Sequence, residues 1–165
     1  MGNQKRFIKR RFVLDERGTS MIELAIVLPI MLLLMASIAE FGRFFYTYTT
    51  LAKATRAGAR YIAAQPYACG TYRLQARNLV VCGKPTCAGG DAPVVKNLTI
   101  SNVDITTTPG EVTLPDKVTV AISGYRYQTI FGIGGLTGGV VDLNIPVAPS
   151  TTMKYLLTDP CSAPG

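Results

Sequence analysis

The strongest constraint on this chain is the segment Met21–Ala39, MIELAIVLPIMLLLMASIA, nineteen residues whose only charge is Glu23. A helix rises 1.5 Å per residue, and about 20 apolar residues cross the hydrocarbon of a bilayer, so the run is just long enough to span one. Pro29 lacks an N–H and predicts a kink against the carbonyl of Ala25, which membrane helices tolerate where neighbouring groups re-satisfy the backbone. Glu23 is the costly residue. A carboxylate at the bilayer centre costs roughly 2.5–3.5 kcal/mol, less near the end of the span where Glu23 lies. Two readings stand: it rests among headgroups, or it meets a cation.

The flanks orient the run. Residues 1–18 hold Lys5, Arg6, Lys9, Arg10, Arg11 and Arg17 against Asp15 and Glu16, so +4 of the chain's formal +7 sits there. Only Arg43, Lys53 and Arg56 follow within about 18 residues of the run. Lys and Arg stay on the cytoplasmic side of inserted helices, which predicts a single pass with the N-terminus inside and the C-terminal domain outside. A basic chain invites a nucleic-acid reading, but more than half of the excess belongs to the leader, so no nucleic-acid partner is expected.

Three fates are open to the leader. A secretory signal would be cut after Ser37-Ile38-Ala39, releasing a protein that begins at Glu40, although the apolar run is long for a signal core. An uncut anchor would keep Met1. A cut after Gly18, within the small-residue junction Gly18-Thr19-Ser20, would create an α-amine at Thr19 close in sequence to Glu23, and a salt bridge could then form within the chain or to a neighbour.

Between Glu40 and Gln65 nothing breaks a helix except Gly42 and Gly58, and Pro66 stops it. Phe41, Phe44, Tyr48, Leu51, Thr55, Gly58 and Ile62 recur at spacings of three and four, with Phe45, Ala52 and Ala59 widening the face and Lys53, Arg56 and Arg60 on another. That face serves packing on the chain's own domain, an oligomerisation seam, or each in a different half. Phe44, Phe45, Tyr46 and Tyr48 suit an aromatic belt at the membrane surface.

After Pro66 the texture becomes short runs punctuated by Gly and Pro. Tyr72–Val81 predicts a second helix with Leu74, Asn78 and Val81 on one side. Leu98–Ile105 alternates with an offset that predicts a bulged strand, and Val118–Ile122 predicts a strand continuing to Tyr127. Val140–Val147 and Thr151–Leu156 are the last strands. The fold expected is α+β: a long N-terminal helix packed against a small antiparallel β-sheet, with boundaries at 1–18 (leader), 19–66 (transmembrane and amphipathic helix) and 67–165 (exported domain). The segment Gly132–Gly139 lacks the Lys-Ser/Thr of a phosphate loop and reads as a hairpin tip, where Ile130, Phe131, Ile133 and Leu136 could touch the membrane or a partner. Asn97-Leu98-Thr99 matches a glycosylation sequon.

The sequence has no histidine, which removes the usual general base and the usual zinc ligand. No convergent set of nucleophile, base and carboxylate is visible, so neither an enzyme nor a cofactor is expected. Cys69, Cys82, Cys87 and Cys161 all follow the membrane run, as disulfides in an oxidising compartment would. They allow three connectivities: Cys82 and Cys87 could close locally, leaving Cys69 to tether Cys161. Without His or a CxxC pair, a metal site is not expected.

Gly18 followed by Glu23 at the start of a hydrophobic helix resembles the type III signal of type IV pilin-like precursors. The longer block through ELAIVLP, EFGR (Glu40–Arg43) and RAGARY (Arg56–Tyr61) resembles the TadE-like pseudopilins of the tight-adherence (Tad or Flp) pilus system, and VTVAISGYRY and TTMKY are similar to that family's C-terminal strands. The strong part covers about 45 residues. Leu24 follows the glutamate where major Flp pilins typically have tyrosine, which implies a minor component. The resemblance implies a pilin-like fold, cleavage between Gly18 and Thr19 by a prepilin peptidase, and, as further partners, other Tad/Flp pilins and pseudopilins and the assembly platform. It also implies a bacterial inner-membrane single pass with a cytoplasmic N-terminus and a periplasmic C-terminal domain, or a place in the extracellular pilus, a setting in which the glycosylation sequon means little.

Overall fold

The computed structural model describes residues 16–65, 70–88, 90–109, 115–130 and 144–156. Helix α1 runs Glu16–Ala63 and α2 Gly70–Cys82; a 3-10 turn at Ile100–Asn102 leads into strand β1 (Val103–Pro109), followed by β2 (Pro115–Ile122), β3 (Arg126–Tyr127), β4 (Ile145–Pro146) and β5 (Ser150–Lys154). This is an α+β chain. Two compact units divide it, residues 1–38 and 39–165.

In the first unit the described chain is helix alone. It passes through Pro29 as α-helix, and the large apolar side chains from Met21 to Ile38 are 45–75% exposed. Among the described residues, α1 is the one helix long and apolar enough to cross a membrane, with a mean hydropathy of 2.5 over its most apolar window. Apolar surface on that scale is stable only where something other than water covers it.

The second unit has its core between α1, α2 and the β1-β2-β5 sheet, an antiparallel sheet in that spatial order. Strand β2 is central, and its side chains alternate: Val118, Val120 and Ile122 point inward and are buried, while on the other face Lys117 is exposed and Thr119 and Ala121 are half-buried. The register sets Val103 against Ile122, Ile105 against Val120 and Thr107 against Val118, and on the other side Val120 against Thr151 and Val118 against Met153. Onto this face α1 places Leu51, Thr55, Ala59 and Ile62, and α2 places Ala76, Val80 and Val81. Thr55 is buried but satisfied: its hydroxyl donates to the Ala52 carbonyl at 3.0 Å and lies 3.1 Å from the Thr151 hydroxyl, which then acts as donor. The exit of β5 closes the end of α1, where carbonyls lack helical partners. The Leu156 N–H donates to the Ala63 carbonyl and the Tyr155 hydroxyl to the Gln65 carbonyl.

Gly58 sets the distance between the helices. A Cβ there would lie 2.5 Å from Val80 Cγ2, so α1 and α2 approach as closely as they do only because that carbon is missing. Helix α2 ends at Gly83, whose φ of +72° and N–H bond to the Leu79 carbonyl (3.0 Å) make a left-handed cap. A disulfide joins Cys82 to Cys87 just beyond, with Cα atoms 6.1 Å apart; Cys69 and Cys161 lie outside the described residues. Asn78 Nδ2 and the Lys84–Asp91 ion pair hold the same loop, to the Pro85 carbonyl at 3.1 Å and across 2.8 Å respectively.

Several expectations need correction. Strand β2 does not continue to Tyr127: the chain turns at Ser123-Gly124, where Gly124 has φ +68°, and β3 pairs with β4 in a separate two-stranded sheet. The offset in Leu98–Ile105 is not a bulge but the 3-10 turn, capped by Thr99 and Asn102. Leu74 is exposed, because α2 packs through Ala76, Val80 and Val81 instead. On α1, Phe41, Phe45 and Tyr48 are exposed, so the buried stripe begins in earnest only at Leu51, after half-buried Phe44 and Thr47. Residues 131–143, with the glycine-rich segment and the start of the expected strand at Val140, lie outside the described residues, as does the leader before Glu16.

Candidate functional site

Two places collect the residues of interest, one in each unit. The first is the start of α1. Gly18, Thr19 and Glu23 lie within its first turns, all exposed, and nothing approaches within 4 Å of a Cβ built on Gly18. Thr19 and Glu23 are four residues apart and therefore neighbours on one helix face. The Gly18–Thr19 bond sits in the turn whose N–H groups have no intrahelical acceptor, and glycine is a poor helix former, so opening this bond to an extended form unwinds little. Among the described residues Glu23 makes no ion pair within 4 Å. Nothing here assembles chemistry: the arrangement offers an accessible bond and an unpaired carboxylate on an apolar helix.

The second place is the stretch of α1 that follows the apolar run. Glu40 accepts a hydrogen bond from the Tyr127 hydroxyl at 2.9 Å and from the Ile130 N–H at 3.3 and 3.4 Å to its two oxygens. The Phe44 and Tyr127 rings meet edge to face, centroids 5.4 Å apart. Burial, and then the bond to Glu40, raise the Tyr127 phenol above the ordinary tyrosine range; burial does the same for Tyr125, whose hydroxyl donates to the Lys96 carbonyl at 3.2 Å. Beside this junction is a cleft of about 470 Å³. Ala39, Gly42, Arg43, Tyr46 and Thr47 of α1 form one wall, with the segments 94–97 and 125–128 opposite. Among the described residues its charged lining is all positive: Arg43, Lys96 and Arg126. Sequence reading singled out neither the role of Glu40 nor this cleft, because both depend on residues some 90 positions apart; the only local hint was an acid immediately after an apolar run. Among the described residues no three of His, Cys, Asp and Glu gather as metal ligands would.

The sequence model of the family described as TadE-like protein matches residues 18–60. Neither the curated proteins nor the solved structures provide a match. The matched segment begins at Gly18, contains the whole apolar run, and ends in the half of α1 that packs against the sheet.

Proposed function

We propose that this chain, TadE-like over residues 18–60, is a structural minor pseudopilin that acts without catalysis in assembling a Tad/Flp adhesive pilus. The observation that carries the reading is where the family match starts: at Gly18, on an accessible bond one turn before Glu23. In this scheme the basic leader holds the N-terminus in the cytoplasm and the apolar run is stored in the inner membrane. A prepilin peptidase cuts after Gly18 on the cytoplasmic face. The new Thr19 amine then stands on the same helix face as Glu23, and their pairing, within the chain or between neighbours, removes the penalty that an unpaired carboxylate carries in lipid. The exposed apolar surface of residues 21–38 packs against other pilins and pseudopilins or the assembly platform. The second unit, with its own core, is the periplasmic head.

The mature N-terminus, read by Edman degradation or mass spectrometry, tests this. Thr19 is expected. Glu40 would make the protein a secreted one, and Met1 would make it an uncut, signal-anchored module of the envelope. Gly18→Ala should leave the chain 18 residues longer while it remains in the membrane. Continued shortening of that variant would place the cut elsewhere.

A further inference from the structure

We propose that the cleft formed by α1 with residues 94–97 and 125–128 binds the phosphate headgroup of an anionic phospholipid. The proposal rests on the apolar run being in the membrane. Three observations carry it.

The first is charge. Arg43, Lys96 and Arg126 line the cleft, and among the described residues no Asp or Glu lines it and none of the three cations makes an ion pair within 4 Å. The nearest acid along α1, Glu40, is engaged by Tyr127 and Ile130. The second is room. Ala39 and Gly42 leave the helical wall low, with nothing within 4 Å of a Cβ on Gly42, and Tyr46, Thr47, Asn97 and Gln128 add hydrogen-bonding groups around about 470 Å³. The third is depth. Ala39 is both the last residue of the apolar run and part of the cleft wall. Arg43 follows four residues later, about 6 Å along the helix axis. The headgroup layer is roughly 5–8 Å thick on each side of the hydrocarbon, so Arg43 stands at the level of lipid phosphates. An acidic segment of a second copy is the less favoured occupant, since the sequence beyond the leader holds only eight acids in 147 residues.

Native mass spectrometry of the full-length chain in detergent micelles, offered equal amounts of phosphatidylglycerol and phosphatidylcholine, tests the site. Preferential retention of phosphatidylglycerol is expected, weakened about fivefold for each cation removed, so that R43Q/K96Q/R126Q binds the two lipids equally. All three side chains are exposed, and an unchanged melting temperature would verify that the variant folds. K117Q/K154Q, which removes two cations from the sheet, should keep the preference. Equal retention of both lipids by the wild type, an unchanged preference in the triple variant, or loss of it in the sheet variant would overturn the proposal. So would displacement of the lipid by excess inorganic phosphate, which would mark a site for free anions, or a preference confined to dimers, which would make the occupant a second copy. Flotation with vesicles separates the premise: a chain that floats but shows no preference refutes the cleft alone, whereas one that does not float refutes the membrane reading with it.

Discussion

Glu40 stands one residue beyond the apolar run, yet its carboxylate is committed to the second unit through the Tyr127 hydroxyl and the Ile130 N–H. Tyr127 is 3% exposed, so a variant that strands its hydroxyl loses more than one weak surface bond. Glu40→Ala should destabilise the second unit by about 1–3 kcal/mol, the cost of leaving a buried donor unpaired, whereas Tyr127→Phe, which removes the donor itself, should cost less. Urea unfolding of the two variants in one detergent decides this, and equal effects would mean that Glu40 acts through something other than the tyrosine. The same tyrosine gives a pH dependence. Burial raises the folded-state value of Tyr127, and of Tyr61 and Tyr125, above that of the unfolded chain. The folded state therefore holds these protons longer. Their contribution is complete below pH about 10, the unfolded value, and is lost as pH rises through the folded values. Tyr127→Phe should flatten the decline of the urea midpoint above pH 10.

At the scale of elements, what could be read from the sequence followed hydrophobic periodicity. Helix α1 was legible from Thr19 onward because Pro29, Gly42 and Gly58 are its only helix-opposing residues before Pro66, and the chain passes through all three as helix; its first residues, Glu16–Gly18, were read as leader. The buried half of its face, Leu51, Thr55, Gly58 and Ile62, was legible in register, but the outer half was not: Phe41 and Tyr48 continue the pattern without a partner in this chain to bury them. The strands were found where alternation is clean and misjudged where its parity flips. Val118, Val120 and Ile122 are followed by Tyr125 and Tyr127, one residue out of phase, and that flip is the turn at Gly124 between two sheets. Leu98 and Ile100 against Val103 and Ile105 is a second flip, taken up by the 3-10 turn. In α2 the small Ala76 was passed over for Leu74, although the close approach at Gly58 demands a small residue, with Ala76 O lying 3.4 Å from a Cβ built there. Two of the three glycines of α1, Gly42 and Gly58, should accordingly respond in opposite directions. Gly58→Ala gains up to about 1 kcal/mol of helix propensity but drives a Cβ into Val80, a stiff β-branched side chain, at an overpacking cost of about 1–3 kcal/mol, so a net loss is expected. Gly42→Ala meets nothing and should stabilise by about 1 kcal/mol. Thermal unfolding of both variants measures the difference, and stabilisation by Gly58→Ala would mean that α1 and α2 are not held this close.

At the scale of the whole molecule, one continuous helix belongs to two units of opposite character: the large apolar side chains of residues 21–38 are all exposed, whereas the second unit buries a core of its own. The buried core draws on α1 only from Leu51 onward, with Phe44 and Ala54 at its margin. The Glu40 bonds, the Phe44–Tyr127 ring contact, the strand pairings and the Cys82–Cys87 disulfide all fall after Ile38. A fragment beginning at Ala39 should therefore fold in water without detergent, unfolding cooperatively with amide exchange slowest in β2 and in α1 from Leu51 to Ala63, where the side chains are most buried. Its remaining liability is the exposed row Phe41, Phe45, Tyr46 and Tyr48, which should make the fragment self-associate; replacing Phe41 and Phe45 with Ser should suppress association without lowering the melting temperature, since neither side chain contributes to the core. Light scattering and circular dichroism on the two fragments check both halves of this expectation. A fragment that lacks a cooperative transition would show that the second unit depends on the apolar run for its fold.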